Sequence, residues 1–461
     1  MDKRDLILKG NIGKAILTLA IPIMLNNLIQ TFYNLTDTYF VSKLGTVEMA
    51  SMQFIWPLIW FMMSLGMGLS IGGVALISQY FGAGKFVKAK EHAGQLITIA
   101  LIGGTAFGLI GAVFSDVIVA SMGAEGELLA LSSTYLRIMF IGLPSVFLFF
   151  AFSAIKQGEG DTKTPMIISG LSVVLNIILD PIFIFGFGWG IAGAAIATVL
   201  SRTVFLAVAW VLLFKKPSEH MKLVAHDLKL QGHMVKSILS IGMPAAIGQS
   251  MTSLGFVVLN MFLLGYGEAI LTAFAIGNRI SSLIFMPAGG IAGALTAIIG
   301  QNIGAGQIKR ANQAFLKSVW YSSLIMGIGA IVMFFFTEQS VEIFTKDPYI
   351  IEQSSYYLKM ILVTIPLFGF YNCLIGLFQG SGHTISAMVI MMGRLWGLRI
   401  PMILVMRAFD YKEAVGIWYA MILSNVIIVV IGLLMYLTGK WREPVVSKKE
   451  ERIKAAIKEI G

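Results

Sequence analysis

Cysteine, charge and histidine are all scarce in this chain. A single cysteine, Cys373, stands among 461 residues, which excludes a disulfide framework and a thiolate metal centre. It reads as a small apolar filler. The five histidines, His92, His220, His226, His233 and His383, all fall in predicted loops without metal-ligand spacing and are expected to be solvated. Only 13% of residues are charged, against roughly 25% in a soluble globule. With 57% hydrophobic residues and a mean hydropathy of +0.83, a water-soluble fold is excluded. No G-x-x-x-x-G-K-[ST] occurs, because Gly84-Lys85 is followed by Phe86, so no nucleotide site is expected. Gly82-Ala83-Gly84 and Gly158-Glu159-Gly160-Asp161 read instead as tight turns. The apolar spans hold no H-E-x-x-H, no D-D-x-x-D and no Ser/His pairing, which argues against an intramembrane enzyme. No recurring pore loop suggests a channel.

What is abundant is hydrocarbon in long runs. Twelve stretches are long enough to cross a hydrocarbon core of ~30 Å: about 14–42, 48–80, 94–117, 128–156, 164–188, 190–214, 238–265, 269–303, 314–337, 350–379, 385–408 and 413–439. The first is too long for a cleaved signal and lacks a small-residue cleavage site. The net charge of +10 is a matter of topology. Of 34 Lys and Arg, 24 fall in the tails and alternate loops of one side. Six (Lys43, Arg137, Lys346, Lys359, Arg407, Lys412) fall on the other, and Arg202, Arg279, Arg394 and Arg399 lie inside spans. By the positive-inside rule both termini are expected in the cytoplasm, and no nucleic-acid partner is implied. Asp5–Lys14 and Ser447–Ile460 carry short basic amphipathic patterns suited to the inner membrane surface.

The chain is also written twice. At an offset of 222 residues, Pro22 falls on Pro244, Gly45 on Gly267, Gln79, Gly82, Ala83 and Gly84 on Gln301, Gly304, Ala305 and Gly306, Tyr135-Leu136 on Tyr357-Leu358, and Pro144 on Pro366. Gln157-Gly158-x-Gly160-x-Thr162 likewise falls on Gln379-Gly380-x-Gly382-x-Thr384. A duplicated apolar chain marks a transporter whose two bundles rock about a shared site. The expected fold is therefore an all-α integral membrane protein, with twelve transmembrane helices in two pseudo-symmetric six-helix bundles. The expected division is an N-lobe (1–214), a cytoplasmic linker (215–237), a C-lobe (238–439) and a cytoplasmic tail (440–461), functional as a monomer.

Two carboxylates sit where carboxylates are expensive. Of 24 Asp and Glu, 22 fall in loops, tails or span ends, leaving Asp37 and Asp180. A charged Asp in mid-membrane costs at least ~2.5–3.5 kcal/mol and usually faces a functional polar interior. Counted from the outer span ends, Asp37 lies about 9 Å deep and Asp180 about 12 Å, with Thr198 also about 12 Å deep. Asn26, Gln30, Asn34 and Asp37 form one stripe on a helix, and Asn176 lies one turn below Asp180. Pro181 donates no hydrogen bond, so a kink and a freed carbonyl are expected beside it. Two close carboxylates in low dielectric cannot both stay charged cheaply, so the cluster suits a proton carrier or a Na⁺ site at Asp37 and Asp180. The second half does not repeat it: Asp37 maps to Leu259, and Ile400, Pro401 and Met402 stand near the counterpart of Asp180. Arg279, Arg394 and Arg399 are expected to snorkel or to meet backbone carbonyls rather than bind anions. Many of the 26 methionines are lipid-facing or core residues, with a pliable cargo lining as the alternative.

Pro22 with Asn34-x-x-Asp37-x-x-Phe40-Val41-x-x-Leu44-Gly45, Gln79-x-x-Gly82-x-Gly84, Gln157-Gly158-x-Gly160-Asp161-Thr162 and Asn176-x-x-x-Asp180-Pro181 together resemble the multidrug and toxic compound extrusion (MATE) family over nearly the whole chain. The acid cluster in one lobe is similar to its DinF-like prokaryotic branch; the NorM-like branch is expected to carry C-lobe acids, and none stands near Thr252. The resemblance implies an antiporter of a prokaryotic plasma membrane, with H⁺ or Na⁺ entering as small organic cations leave, without cofactors. It places Asp37, Asn176, Asp180 and Thr198 in the cation site. The cargo cavity is expected to draw on Gln30, Tyr33, Asn34, Ser153, Gln157 and Arg202, with Ser153 or Gln157 replacing an amide that the pattern implies on span four. The rival reading is a flippase for a lipid-linked saccharide or peptidoglycan precursor. It needs cationic groups to hold a pyrophosphate, whereas the deep charges of the N-lobe are acidic.

Overall fold

A computed structural model describes residues 3–215, 218–408 and 415–446. The amphipathic pattern at Ser447–Ile460 lies outside the described residues, as do Lys216, Pro217 and Lys412. Every regular element among the described residues is helical. The first half comprises α1 (Lys3–Leu8), α2 (Ile12–Ser42), α3 (Thr46–Gly82), α4 (Phe86–Ser121), α5 (Gly126–Ile141), α6 (Leu143–Gly158), α7 (Lys163–Pro181) and α8 (Gly190–Phe214). The second comprises α9 (Gly232–Leu264), α10 (Glu268–Gly304), α11 (Ile308–Phe335), α12 (Thr337–Glu342), α13 (Pro348–Leu362), α14 (Ile365–Gly380), α15 (Thr384–Met392), α16 (Ile400–Ala408) and α17 (Val415–Leu437). Wide π turns extend α7 over Ile182–Gly186 and join α15 to α16 over Gly393–Arg399.

Among the described residues, ten helices are long and apolar enough to cross a membrane. Two bent pairs, α5 with α6 (46°) and α13 with α14 (56°), make twelve when each counts as one span. Both breaks have one cause. Pro144 and Pro366 stand in the first turn of α6 and α14, where a missing N–H is harmless but would interrupt a continuous helix. The outer faces are hydrocarbon: Val113 is 72% exposed and Phe335 73%, an exposure that lipid accommodates and water does not. Directly after Pro181 the helix widens into the π turn Ile182–Gly186.

The chain divides into two compact units, Met1–Met24 with Ile247–Gly461, and Leu25–Ala246. The boundaries fall after Met24 and after Ala246, which the 222-residue offset superposes. Helix α2 thus gives its first part to one unit and the rest to the other, and α9 does the reverse. Within the Leu25–Ala246 unit, α9 crosses α3 so closely that a Cβ at Gly68 would fall on the backbone of Ala246. Within the other unit, α2 crosses α10 with Gly290 against Met24, and a Cβ there would lie 3.2 Å from the Ala20 carbonyl oxygen. Gly68 and Gly290 are again equivalent positions, so one small-residue crossing is used twice.

The segment after α8 is fastened rather than loose. Gln95 and Thr98 of α4 donate to the carbonyls of Asp227, Lys229 and Leu228, at 3.0, 2.5 and 2.8 Å. At the other unit's edge, Arg310 donates to the carbonyls of Ile7 and Gly10, satisfying orphan acceptors at the end of α1. One histidine departs from the solvated expectation. His92 lies inside α4, buried, with its ring against Tyr80 and Nδ1 2.8 Å from the Lys88 carbonyl. The helix begins at Phe86, eight residues before the apolar run that marks it in the sequence, and this carries His92 inward.

Candidate functional site

The acids of the Leu25–Ala246 unit are buried together with polar partners. Asp37, on the C-terminal part of α2, is 5% exposed, while Asp180 and Asn176, on α7, are 0% exposed. Asn176 donates from Nδ2 to Asp180 Oδ1 at 3.0 Å, the i, i+4 contact expected for one helix face. Three buried acceptor oxygens then have no donor: Asp37 Oδ1, Asp180 Oδ2 and Asn176 Oδ1. Asp37 and Asp180 lie within electrostatic reach of each other, and Arg202 lies within reach of Asp37. Orphaned buried acceptors are costly. A proton or a small hard cation relieves that cost, since hard cations take oxygen ligands. Among the described residues no group of three or more His, Cys, Asp or Glu forms a metal cluster, so the charge at hand is two carboxylates.

Tyr33 is the link between this cluster and a cavity. Its hydroxyl and Thr198 Oγ1, both buried, are 2.7 Å apart, and the Arg202 guanidinium sits over its ring at 5.6 Å. The same residue lines a cavity of about 310 Å³ within the unit. Asn26, Gln30 and Asn34 present the polar stripe of α2 to that cavity, and Trp56, Trp60, Phe149 and Phe150 supply an aromatic wall. Gln30 is oriented by a 2.8 Å hydrogen bond to Ser169. Asp37 and Asp180 are not among the lining residues. The carboxylates and the cavity are therefore neighbouring compartments that share Tyr33 and Arg202 as a wall.

Of the residues expected at the cavity, Gln30, Tyr33, Asn34 and Arg202 line it, and Ser153 and Gln157 do not. Both stand on the face of α6 that carries Val146, Phe149 and Phe150, but one and two turns beyond the point where the cavity ends. Tyr135 of α5 was not legible as a site residue. It is buried within electrostatic reach of Asp37, Tyr33, Asp180 and Arg202. Its only signal in the sequence is the Tyr135-Leu136 repeat identity, which reads as scaffold. The local backbone is also tightly set. Gly193 in α8 passes the π turn after Asp180 so closely that a Cβ would lie 2.6 Å from the Phe183 carbonyl oxygen.

The equivalent place in the other unit lacks the acids. Leu259, Tyr357, Ile403 and Ala420, the counterparts or near counterparts of Asp37, Tyr135, Asp180 and Thr198, pack into one apolar core with Trp418 and Met421. The duplication thus retains the scaffold and discards the acids. Arg279 is exposed, beside Phe344. Arg394 and Arg399 depart from the snorkelling expectation: they are 7% and 2% exposed, and Arg399 bonds to side chains rather than to backbone carbonyls.

A duplicated helical membrane protein with a pair of membrane-buried carboxylates in one half is the design of a secondary transporter. The chain belongs to the MatE family, whose profile matches residues 22–182 and 244–405, once in each half. This is a family of multi-pass membrane transporters and not of enzymes. The chain is 31% identical to the probable multidrug resistance protein NorM of Thermotoga maritima over 460 residues, covering 98% of this chain and 96% of that protein. It is 30% identical to the multidrug export protein MepA of Staphylococcus aureus over 442 residues, covering 93% and 94%. It is also similar to a solved outward-facing conformation of a multidrug resistance MATE family transporter of the MOP superfamily, with a TM-score of 0.88 and 27% identity over 93% of this chain and 96% of that one.

Proposed function

We propose that this chain is a cation-coupled multidrug antiporter of a prokaryotic plasma membrane, with both termini in the cytoplasm, exporting amphipathic organic cations by alternating access. The reading rests on one observation above all: buried carboxylate oxygens of Asp37 and Asp180 that lack donors, joined through Tyr33 to a separate aromatic cavity. Asp37, Asn176, Asp180 and Thr198 hold the coupling cation, H⁺ or Na⁺. Gln30, Tyr33, Asn34 and Arg202 face the cargo. Buried acids found, among the described residues, only in the Leu25–Ala246 unit, with Leu259 and Ala420 at the other unit's equivalents, favour the DinF-like branch.

In the cycle, a cation arriving from outside neutralises the carboxylates. Arg202 and Tyr33 then lose their negative partner, the outer part of α2 repacks about Pro22, and the cavity's affinity for a cationic compound falls. The compound leaves, the unit closes, and the cation dissociates inward. Each elementary charge that crosses contributes about 2.3 kcal/mol per 100 mV, or roughly a fifty-fold concentration ratio. Efflux of a fluorescent cation from cells, and its uptake into everted vesicles, tests this reading when the Na⁺ and H⁺ gradients are collapsed separately. Transport should stop with one gradient only, and Asp37→Asn and Asp180→Asn should abolish gradient-driven transport. Full activity of both variants under an imposed gradient overturns the assignment.

A further inference from the structure

We propose that the unit built from Met1–Met24 and Ile247–Gly461 carries a second binding site, for an anionic group, on Arg394 and Arg399. Both arginines sit on the π turn Gly393–Arg399, whose wide winding is a feature often found at functional positions. Arg399 is held from two sides, donating from Nε to Ser424 Oγ at 3.1 Å and from Nη2 to Asn425 Oδ1 at 2.8 Å. Asn425 in turn donates to Thr364 Oγ1 at 3.3 Å, so α17 and the start of α14 fix one guanidinium in place. Arg394 is not held in this way. Its Nε is buried without an acceptor, and its guanidinium lies over the rings of Phe368 at 5.1 Å and Tyr371 at 4.6 Å.

Two like charges within electrostatic reach of each other, both out of water, need a counter-charge. None is supplied locally: among the described residues of this unit no Asp or Glu is buried. Aromatic faces attract the Arg394 cation without neutralising it. The arrangement of an anchored guanidinium, a second with a free Nε donor, and an aromatic wall matches the recognition of a halide or of a carboxylate on an aromatic or amphipathic body. The polarity is opposite to that of the acid cluster in the other unit. This site gives the chain a means of accepting negatively charged groups that the acid cluster would repel.

The test is binding to purified, detergent-solubilised wild-type chain in a low-ionic-strength HEPES buffer, by titration calorimetry with chloride and, separately, with benzoate. Saturable binding of either anion, weakened about tenfold or more by Arg394→Gln and by Arg399→Gln but not by Arg279→Gln, is the expected result. Saturation by chloride alone identifies a halide site, and saturation by benzoate alone a carboxylate site. A crystal of the wild-type chain soaked in bromide locates the anion independently of whether the variants fold, with an anomalous peak in hydrogen-bond reach of Arg394 Nε. Absence of saturable binding by both anions, binding indifferent to both substitutions, or chloride saturation with a bromide peak only elsewhere overturns the proposal.

Discussion

Substituting Gly193 by Ala separates the positioning of the acid cluster from its chemistry. The added Cβ would meet Phe183 O at 2.6 Å, Phe183 C at 2.7 Å and Ile184 N at 2.9 Å. All three are backbone atoms, so no side chain can swing away. Ordinary contact begins near 3.4 Å, so α8 and the π turn must part by about 0.8 Å, beyond the roughly 0.5 Å tolerance of a working site. The stability cost is smaller than the functional one. Overpacking costs about 1–3 kcal/mol, and replacing a helical Gly by Ala returns about 0.5–1 kcal/mol. The net loss, about 0–2.5 kcal/mol, lowers the melting temperature by no more than about 10 °C in a unit of this size. The displacement acts on Asp180 and Thr198 together, because one precedes the π turn and the other lies on α8. Thermal unfolding of the purified variant, paired with cation-driven efflux in vesicles, should show a folded protein with strongly reduced coupling. Gly186→Ala is the control: its nearest neighbour, the Pro181 carbonyl oxygen, is 4.0 Å away, and it should behave as wild type. Unchanged melting and full coupling in the Gly193 variant would refute the claim that this close approach sets the acid geometry.

Tyr33→Phe removes the hydroxyl that meets Thr198 while leaving the ring under Arg202; a net loss of about 0.5–1.5 kcal/mol is expected, with cargo binding kept and the coupling between cation and cargo weakened in paired titrations. Trp60→Ala strips part of the aromatic wall; a loss of about 0.5–2 kcal/mol of cation–π attraction should weaken binding of an organic cation roughly two- to thirty-fold and leave cation binding at the acids unchanged. Glu159, at the turn after α6, is bound to Lys156 at 3.3 Å and to Ser218 at 2.7 Å, and burial pushes its carboxyl above the ordinary range despite Lys156. The folded chain therefore holds that proton more tightly than the unfolded one, so this group's contribution to stability is present below its ordinary range and fades as pH rises through the raised value. Glu159→Gln should flatten that part of the stability–pH curve in chemical denaturation, while lowering overall stability because Lys156 is left buried and unpaired.

The architecture was legible because Gly and Pro mark backbone positions that a duplication keeps. Pro144 and Pro366 identify equivalent points, and the structure breaks both spans there, though hydropathy alone shows each as one continuous run. The exchange of the ends of α2 and α9 between units left no trace in periodicity, which reports that a face is buried but not against which partner. Asp37 and Asp180 stood out because charge in hydrocarbon is costly, whereas Tyr135 did not, because a buried tyrosine in a span has many structural uses. Ser153 and Gln157 lie on the correct face of α6 at the wrong height, since spacing fixes angle about a helix far better than it fixes where a cavity ends. Arg394 and Arg399 were misjudged for a related reason: a long cationic side chain in a span can snorkel or turn inward, and the π turn that directs these two inward is a tertiary feature.

On the proposed cycle, Asp37 and Asp180 release a cation when cargo binds in the adjoining cavity. Purified chain in weakly buffered solution, mixed with tetraphenylphosphonium while free H⁺ and Na⁺ are followed by a pH dye and a sodium electrode, measures this directly. A stoichiometric release of one of the two ions by the wild type, lost in the Asp37→Asn/Asp180→Asn double variant, is the predicted result. Undiminished release from the double variant, or cargo binding by the wild type with neither ion released, would contradict it.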